Sequence, residues 1–332
     1  MSKSGPNTGP PPKCLLDGSD MRNAISVERD WRRPMVSQPW SIWWSDSAQF
    51  GQIHPRPAPE DIAAFYDFDA YYTHAENIDH DHQAETRQAG ILSRILFSLA
   101  FRFEHGAEPT PSWWRSIIPE AARQGLEIGC GDGGQMAMFG QFLEHVRGVE
   151  PDQRALSIAQ DRGLDVVAGT AENLPDAIKD RDYDLIVFSH VLEHTRDPVQ
   201  SLRNTAALLS DTGVMMIEVP NNACMAAQMM GSAWRWLDPP RHLNFFTPTS
   251  LKHCAGTAGL KVEAVQYRGY VRQFAPDWIL DEAHISALLQ GRSRTQADIR
   301  AQVWHSAKLL ARTALARPER KYDSVQLLCT RA

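Results

Sequence analysis

LEIGCGDGGQ, residues 126–135, runs an apolar strand through four glycines into a helix. Glycine lets the backbone turn sharply and lets a ligand approach where a Cβ would stand. The helix that follows turns its free amides and its positive dipole end back on that loop. On both sides of this turn, short apolar runs alternate with helical stretches. The runs are GLEIGC (125–130), VRGVEP (146–151), LDVVAGT (164–170), YDLIVFSH (183–190), GVMMIEVP (213–220), LKVEAVQYRG (260–269) and SVQLLCTR (324–331). Apolar strands separated by helices predict βαβ units in a doubly wound, Rossmann-like α/β fold, with a mostly parallel sheet buried on both faces. A helical stretch, 276–316, interrupts the rhythm before the last strand and is expected to act as a lid or as a homodimer contact.

Composition narrows the function. The chain has 332 residues, 43% hydrophobic and 22% charged, which excludes disorder throughout. A net charge of −6 predicts no nucleic-acid partner, since such binders carry basic surfaces. Five scattered cysteines (14, 130, 224, 254, 329) argue against a disulfide scaffold. The run ILSRILFSLAFRF (91–103) is short and holds Arg94 and Arg102, so no membrane span is expected. The start lacks an apolar leader, and a soluble, cytoplasmic protein is the expectation. Four parts are predicted: a Gly/Pro/Ser-rich flexible tail (1–13), a Trp-rich segment broken by prolines (14–60), a helical cap (61–118) and the sheet domain (119–332).

The glycine turn points to a nucleoside. Glu150, followed by Pro151, ends the second strand about twenty residues on, where a carboxylate grips a ribose diol. Ala171-Glu172-Asn173 follows the third strand, near where an adenine would lie. Gly129, Gly131 and Gly134 also satisfy the dinucleotide spacing G-x-G-x-x-G, which keeps NAD and a dehydrogenase open as an alternative. Against it stands Glu127, a carboxylate inside a buried strand, placed to accept from a cationic ligand's ammonium.

E-I-G-C-G-D-G (127–133), G-V-E-P-D (148–152), A-E-N-L-P (171–175) and Y-D-L-I-V-F-S-H-V-L-E-H-T-R-D-P (183–198) together resemble the class I S-adenosylmethionine-dependent methyltransferases, in the branch of ubiquinone-biosynthesis O-methyltransferases. The resemblance implies a seven-stranded sheet whose last strand, here SVQLLCTR, is antiparallel. It implies S-adenosyl-L-methionine as cofactor, with Gly129, Cys130 and Gly131 near its methionine part and Glu150 on its ribose. Ala171 and Glu172 would border the adenine, and Ser189 and His190 would lie under the sulfonium. Many relatives also carry an N-terminal zinc ribbon. Its four ligand positions fall here on Cys14, Asp17, Ser45 and Ala48, so the ribbon is expected to hold no metal, with Trp31, Trp40, Trp43 and Trp44 filling its core.

Methyl transfer asks the protein to align acceptor and sulfonium and, for a neutral acceptor, to supply a base. The expected catalytic residues are His242, after the fifth strand, and His190, at the end of the fourth. Both lie at the carboxyl edge of the sheet, where open α/β sheets build their sites. Some relatives bind a divalent ion through E-x-x-E-H; here the stretch is His190-x-x-Glu193-His194, and no resident metal is assigned. Tyr71, Tyr72, His74, Trp234, Trp236 and Phe245 are expected to close the pocket of a small-molecule acceptor, most simply a hydroxyl or carboxylate oxygen. A nucleoside-binding protein without turnover is the remaining alternative.

Overall fold

The computed structural model describes residues 11–33, 39–66 and 82–332. Its N-terminal strands β1 (Arg22–Val27), β2 (Trp40–Ser45) and β3 (Phe50–His54) form an antiparallel sheet. Lys13 pairs with Asp20, so it belongs to this unit rather than to the expected tail. A single-turn α1 (Pro59–Ile62) and the longer α2 (His82–Ala100) follow, the latter broken at Gly90 with a φ of 79°. The sheet domain then opens with α3 (Pro111–Ile117), whose first turn is capped by Thr110. It continues through β4 (Gln124–Ile128), α4 (Gly134–Phe139), β5 (His145–Glu150), α5 (Gln153–Asp161), β6 (Asp165–Ala168), β7 (Tyr183–Ser189), α6 (Pro198–Ala206) and β8 (Leu209–Pro220). After β8 come α7 (Met225–Met230), β9 (Asn244–Phe245), α8 (Pro248–Thr257), β10 (Leu260–Arg268), the helical pair α9 (Pro276–Leu289) and α10 (Gln296–Thr313), α11 (Pro318–Lys321) and β11 (Ser324–Arg331).

Seven strands form one sheet in the order β10-β11-β8-β7-β4-β5-β6, and β11 alone runs antiparallel to its neighbours. All seven apolar runs of the sequence are its strands. Alternation sends Ile186 and Phe188 of β7 into the core on one face and Leu185 and Val187 into the core on the other. Asp152 and Asp197 cap α5 and α6 by accepting from the first free amides. These caps start both helices at the carboxyl edge of the sheet.

A third core lies to one side of the seven-stranded sheet. Leu96 and Ala100 of α2, Ile279, Leu280 and Ala283 of α9, and Ile299 and Val303 of α10 pack with Trp40, Ile42 and Ile53 of the N-terminal sheet. That sheet is completed by β9, which the long connection after β8 adds beside β3. The Trp-rich segment is therefore tied to the sheet domain through shared strand pairing. No helix among the described residues is long and apolar enough to cross a membrane.

Candidate active site

At the end of β4 the chain turns through Gly129, with a φ of 64°. A Cβ there would sit 2.6 Å from the Val191 side chain, so only glycine fits between the turn and the loop after β7. Glu150, buried at the tip of β5, holds the turn by accepting from the amides of Gly131 and Asp152, both at 2.8 Å. Cys130 is buried, and burial pushes its thiol up. Pro151 stands exposed beside the turn. Glu127 is 3% exposed; its Oε1 accepts from Gln135 Nε2 at 2.9 Å, whereas Oε2 has no partner. Burial first, then the charges of Glu150 and Asp132, raise this carboxyl well above the ordinary range. Ala171 is buried, and Asn204 fixes its turn by donating to the carbonyls of Ala171 and Glu172. The Glu172 carboxylate accepts from the amides of Arg196 and Asp197, tying that turn to the start of α6.

Ser189 ends β7, half-buried, and His190 follows with a φ of 55°, unusual for a residue with a Cβ. This strained step aims the imidazole along the top of the sheet. Its Nε2 lies 3.0 Å from Glu218 Oε1 and its ring stacks on Trp236, with centroids 4.6 Å apart. Burial would lower His190, but the carboxylates of Glu218 and Glu193 prevail and lift it to about 9. His190 is therefore an imidazolium at neutral pH and has no lone pair to offer there, which argues against the expected role as a base. Glu218 also accepts from Arg268 and Gln326, and Asp323 nearby is paired with Arg272 and accepts from Trp236 Nε1.

His242 presents the opposite case. Its Nδ1 lies 2.7 Å from the Trp236 carbonyl, which can only accept, so Nδ1 carries the proton and Nε2 bears the lone pair. Burial, with the neighbouring His194, lowers His242 to about 4, so it is neutral. His194 packs edge-on against it, at 4.7 Å between centroids, and its Nδ1 faces the Arg241 carbonyl and the Tyr66 hydroxyl, each at 3.0 Å. The backbone that carries both contacts is anchored by Arg241, which is fully buried and paired with Asp30 and Asp238. Asp30 comes from the N-terminal segment, 211 residues away in sequence. Arg56 adds a second tie by donating to the carbonyls of Thr195, Arg196 and Leu243.

Residues 82–265 match the family described as "Methyltransferase domain". That match covers more than half of the chain. The chain belongs to this methyltransferase family. Among curated proteins it is 28% identical over 160 residues to the ubiquinone biosynthesis O-methyltransferase of Azorhizobium caulinodans, covering 45% of this chain and 62% of that protein. The corresponding protein of Ralstonia nicotianae is 27% identical over 168 residues, covering 47% and 70%. A solved S-adenosylmethionine-dependent methyltransferase from Mesorhizobium loti shares 16% identity over 67% of this chain and 98% of its own, with a TM-score of 0.44. The stretch shared with the first of these relatives spans less than two thirds of that protein's length.

S-adenosylmethionine is thus the cofactor, and the NAD alternative left open by the glycine spacing falls away. The donor set of the methyltransferase fits it. The unpartnered Glu127 Oε2 suits the cofactor's ammonium, and the Glu150 carboxylate at the tip of β5 is an acceptor of the kind a ribose diol needs.

Other expectations need revision. Trp234 and Phe245 are buried in the core beneath the N-terminal sheet and do not face the site; of the three aromatics after β8, only Trp236 stacks over it. His190 is paired with Glu218 on the adjacent strand. Glu193, His194 and His242 bring their ligating atoms within 4.8 Å of one another, a grouping that the sequence reading, with no metal assigned, did not make. Tyr71, Tyr72 and His74 lie outside the described residues. Glu218, Arg241 and Asp30 were not singled out. Glu218 carried the same signal as Glu127, a carboxylate within an apolar strand.

The ribbon positions do meet. The turns at 14–19 and 45–48 face each other and are joined by hydroxyl bonds. Asp17 accepts from Ser19 and Ser47, both at 2.6 Å, and Ser19 and Ser45 hydroxyls lie 2.7 Å apart. Cys14 and Ala48 are packed in the core, as are Trp40 and, in part, Trp43 and Trp44.

Proposed function

We propose that the protein transfers the methyl group of S-adenosylmethionine to an oxygen of a small-molecule acceptor. The observation that carries this reading is the shared loop after β7. Val191 seals the glycine turn of the cofactor cradle, and two residues later the same loop enters the Glu193-His194-His242 group. The in-line displacement asks the protein to hold cofactor and acceptor aligned and to exclude water. Glu127 and Glu150 hold the two ends of the cofactor. Trp236, supported by Trp278 of α9 at 5.6 Å and by Asp323, forms the wall against which a planar acceptor stacks. The lone pair of His242 belongs to the group that ionises the acceptor, which suits a hydroxyl. The names of the relatives support oxygen as the atom methylated. In this reading α9 and α10 form a lid over the acceptor side, with Arg235 bound to Asp277 and Asp281 of α9.

The test is incubation with isotopically labelled S-adenosylmethionine and a panel of phenols, catechols, alcohols and carboxylic acids, read by mass spectrometry. A labelled ether or ester supports the reading; methylation confined to amines or thiols overturns it. His242→Ala should lower turnover more than tenfold while S-adenosylhomocysteine affinity stays the same. An unchanged rate at saturating acceptor removes His242 from the reaction.

A further inference from the structure

Of the eight large apolar side chains left exposed among the described residues, seven sit on α2 and α10 or in the turns that directly follow them. On α2, Ser93, Leu96 and Ala100 face inward, the last two in the core shared with α9 and α10. Ile91, Ile95 and Leu99, four residues apart, form a second apolar stripe on the solvent side, with Leu92 beside it and Phe101 just beyond. On α10, Trp304 and Leu315, 63% and 94% exposed, lie three turns apart on the side away from the core. The two helices pack against each other and against α9, so both stripes belong to one helical layer. Apolar exposure on this scale marks an interaction surface. The same surface is uniformly basic. Residues 91–103 and 299–318 hold no Asp or Glu, in a chain of net charge −6. Arg94, Arg102, Arg300, Lys308, Arg312 and Arg317 are exposed, and none has an ion-pair partner among the described residues.

We infer that the outer face of α2 and α10 docks on the surface of an anionic lipid bilayer. A second copy of the chain fits poorly, because a twofold contact sets this face against itself and brings like charges together. A bilayer interface answers both features at once. Its phosphate layer attracts Lys and Arg, and the acyl boundary beneath receives Trp, Phe, Ile and Leu without a matching pocket. Long basic side chains suit it further, because their stems lie along apolar neighbours while their charged heads reach the phosphates. The contact is peripheral, since neither helix is long and apolar enough to cross. α10 lies outside the stretch matched to the methyltransferase family, so the face is completed by this chain's own helical insertion. Trp278 of α9, the helix against which both pack, meets Trp236, which puts the docked face one helix away from the candidate site. The inference rests on the surface alone and stands whichever acceptor is methylated.

The experiment floats the untagged full chain with vesicles of phosphatidylcholine alone and of an equimolar mixture with phosphatidylglycerol. The expected result is binding to the mixed vesicles, little to the neutral ones, and release at about 1 M salt, where charges are screened within about 3 Å. Ile95→Glu and Trp304→Glu should each weaken binding on the order of tenfold, and Arg94→Gln and Arg102→Gln about fivefold each. Leu15→Glu changes an exposed apolar residue of the N-terminal unit and should bind like wild type. All these side chains are exposed, so the fold should be kept, as circular dichroism will check; should an apolar variant misfold, the arginine variants decide. The inference is overturned if the chain floats with neither vesicle, if neutral vesicles bind it equally, or if the folded α2 and α10 variants bind like wild type. It is overturned equally if sedimentation shows a dimer that Ile95→Glu dissolves, since the face is then covered by a second copy.

Discussion

Replacing Glu127 by glutamine removes one charge from the cofactor cradle and almost no volume. The wild-type carboxyl is buried, with Oε1 satisfied by Gln135 and Oε2 left for the cofactor's ammonium. A hydrogen bond to a charged group contributes about 1.5–3 kcal/mol, so Glu127→Gln should weaken S-adenosylhomocysteine binding roughly 10- to 150-fold. The pH dependence has a definite sign. In the free protein burial raises the Glu127 carboxyl and keeps it protonated above the ordinary carboxylate range. Binding a cation requires it to ionise, so wild-type affinity should rise with pH through that window while the variant's profile is flat. Stability moves the other way. A carboxyl whose folded pKa is raised loses stability as pH climbs from its unfolded value, near 4.3, toward the folded one; glutamine carries no such penalty. The free variant should therefore unfold at the same temperature as wild type or higher at pH 8. Isothermal calorimetry and differential scanning fluorimetry read the two effects. A dissociation constant within threefold of wild type, at equal thermal stability, would refute the assignment of Glu127 to the cofactor.

Asp30→Ala leaves the buried Arg241 guanidinium short of a partner and should cost about 3 kcal/mol in urea unfolding; a loss under 1 kcal/mol would show that Asp238 suffices. Gly129→Ala forces a Cβ into the left-handed region and against Val191, with an expected loss of about 2–4 kcal/mol and of cofactor binding. Stability within 1 kcal/mol of wild type would contradict that packing. Burial pushes Glu282, bonded to Trp278 and Gln302 between α9 and α10, up to about 8. It holds its proton in the fold, so stability falls as pH rises from about 4.3 to 8, and Glu282→Gln should gain about 2–3 kcal/mol on wild type between pH 6 and 8. Parallel stability curves for the two proteins would exclude it.

Much of the fold was legible because it depends on local chemistry. Continuous apolar runs such as YDLIVFSH mark strands buried on both faces, and the glycines at 129–134 mark a turn that side chains would obstruct. Glu127 and Glu150 were legible as anomalies, carboxylates at the tips of apolar strands. What neighbours in sequence do not report is which distant groups neutralise each other. His190 looked like a base because its position is the sheet edge. Glu218, on the adjacent strand, turns it into a cation, and that pairing exists only once β7 and β8 lie side by side. Trp234 and Trp236, two residues apart, looked alike, yet a turn of 3-10 helix sends one into the core and the other over the site.

By itself the sequence determined the parallel sheet and its glycine turn, since strand burial and backbone turning are written in runs of a few residues; its glycine spacing left NAD open beside S-adenosylmethionine. The meeting of Glu193 and His194 with His242, and the Asp30–Arg241 pair that steadies them, was decided only by tertiary structure. The reason is physical: charges and lone pairs act over a few ångströms of space, and folding alone brings Asp30 to Arg241 and Glu193 to His242.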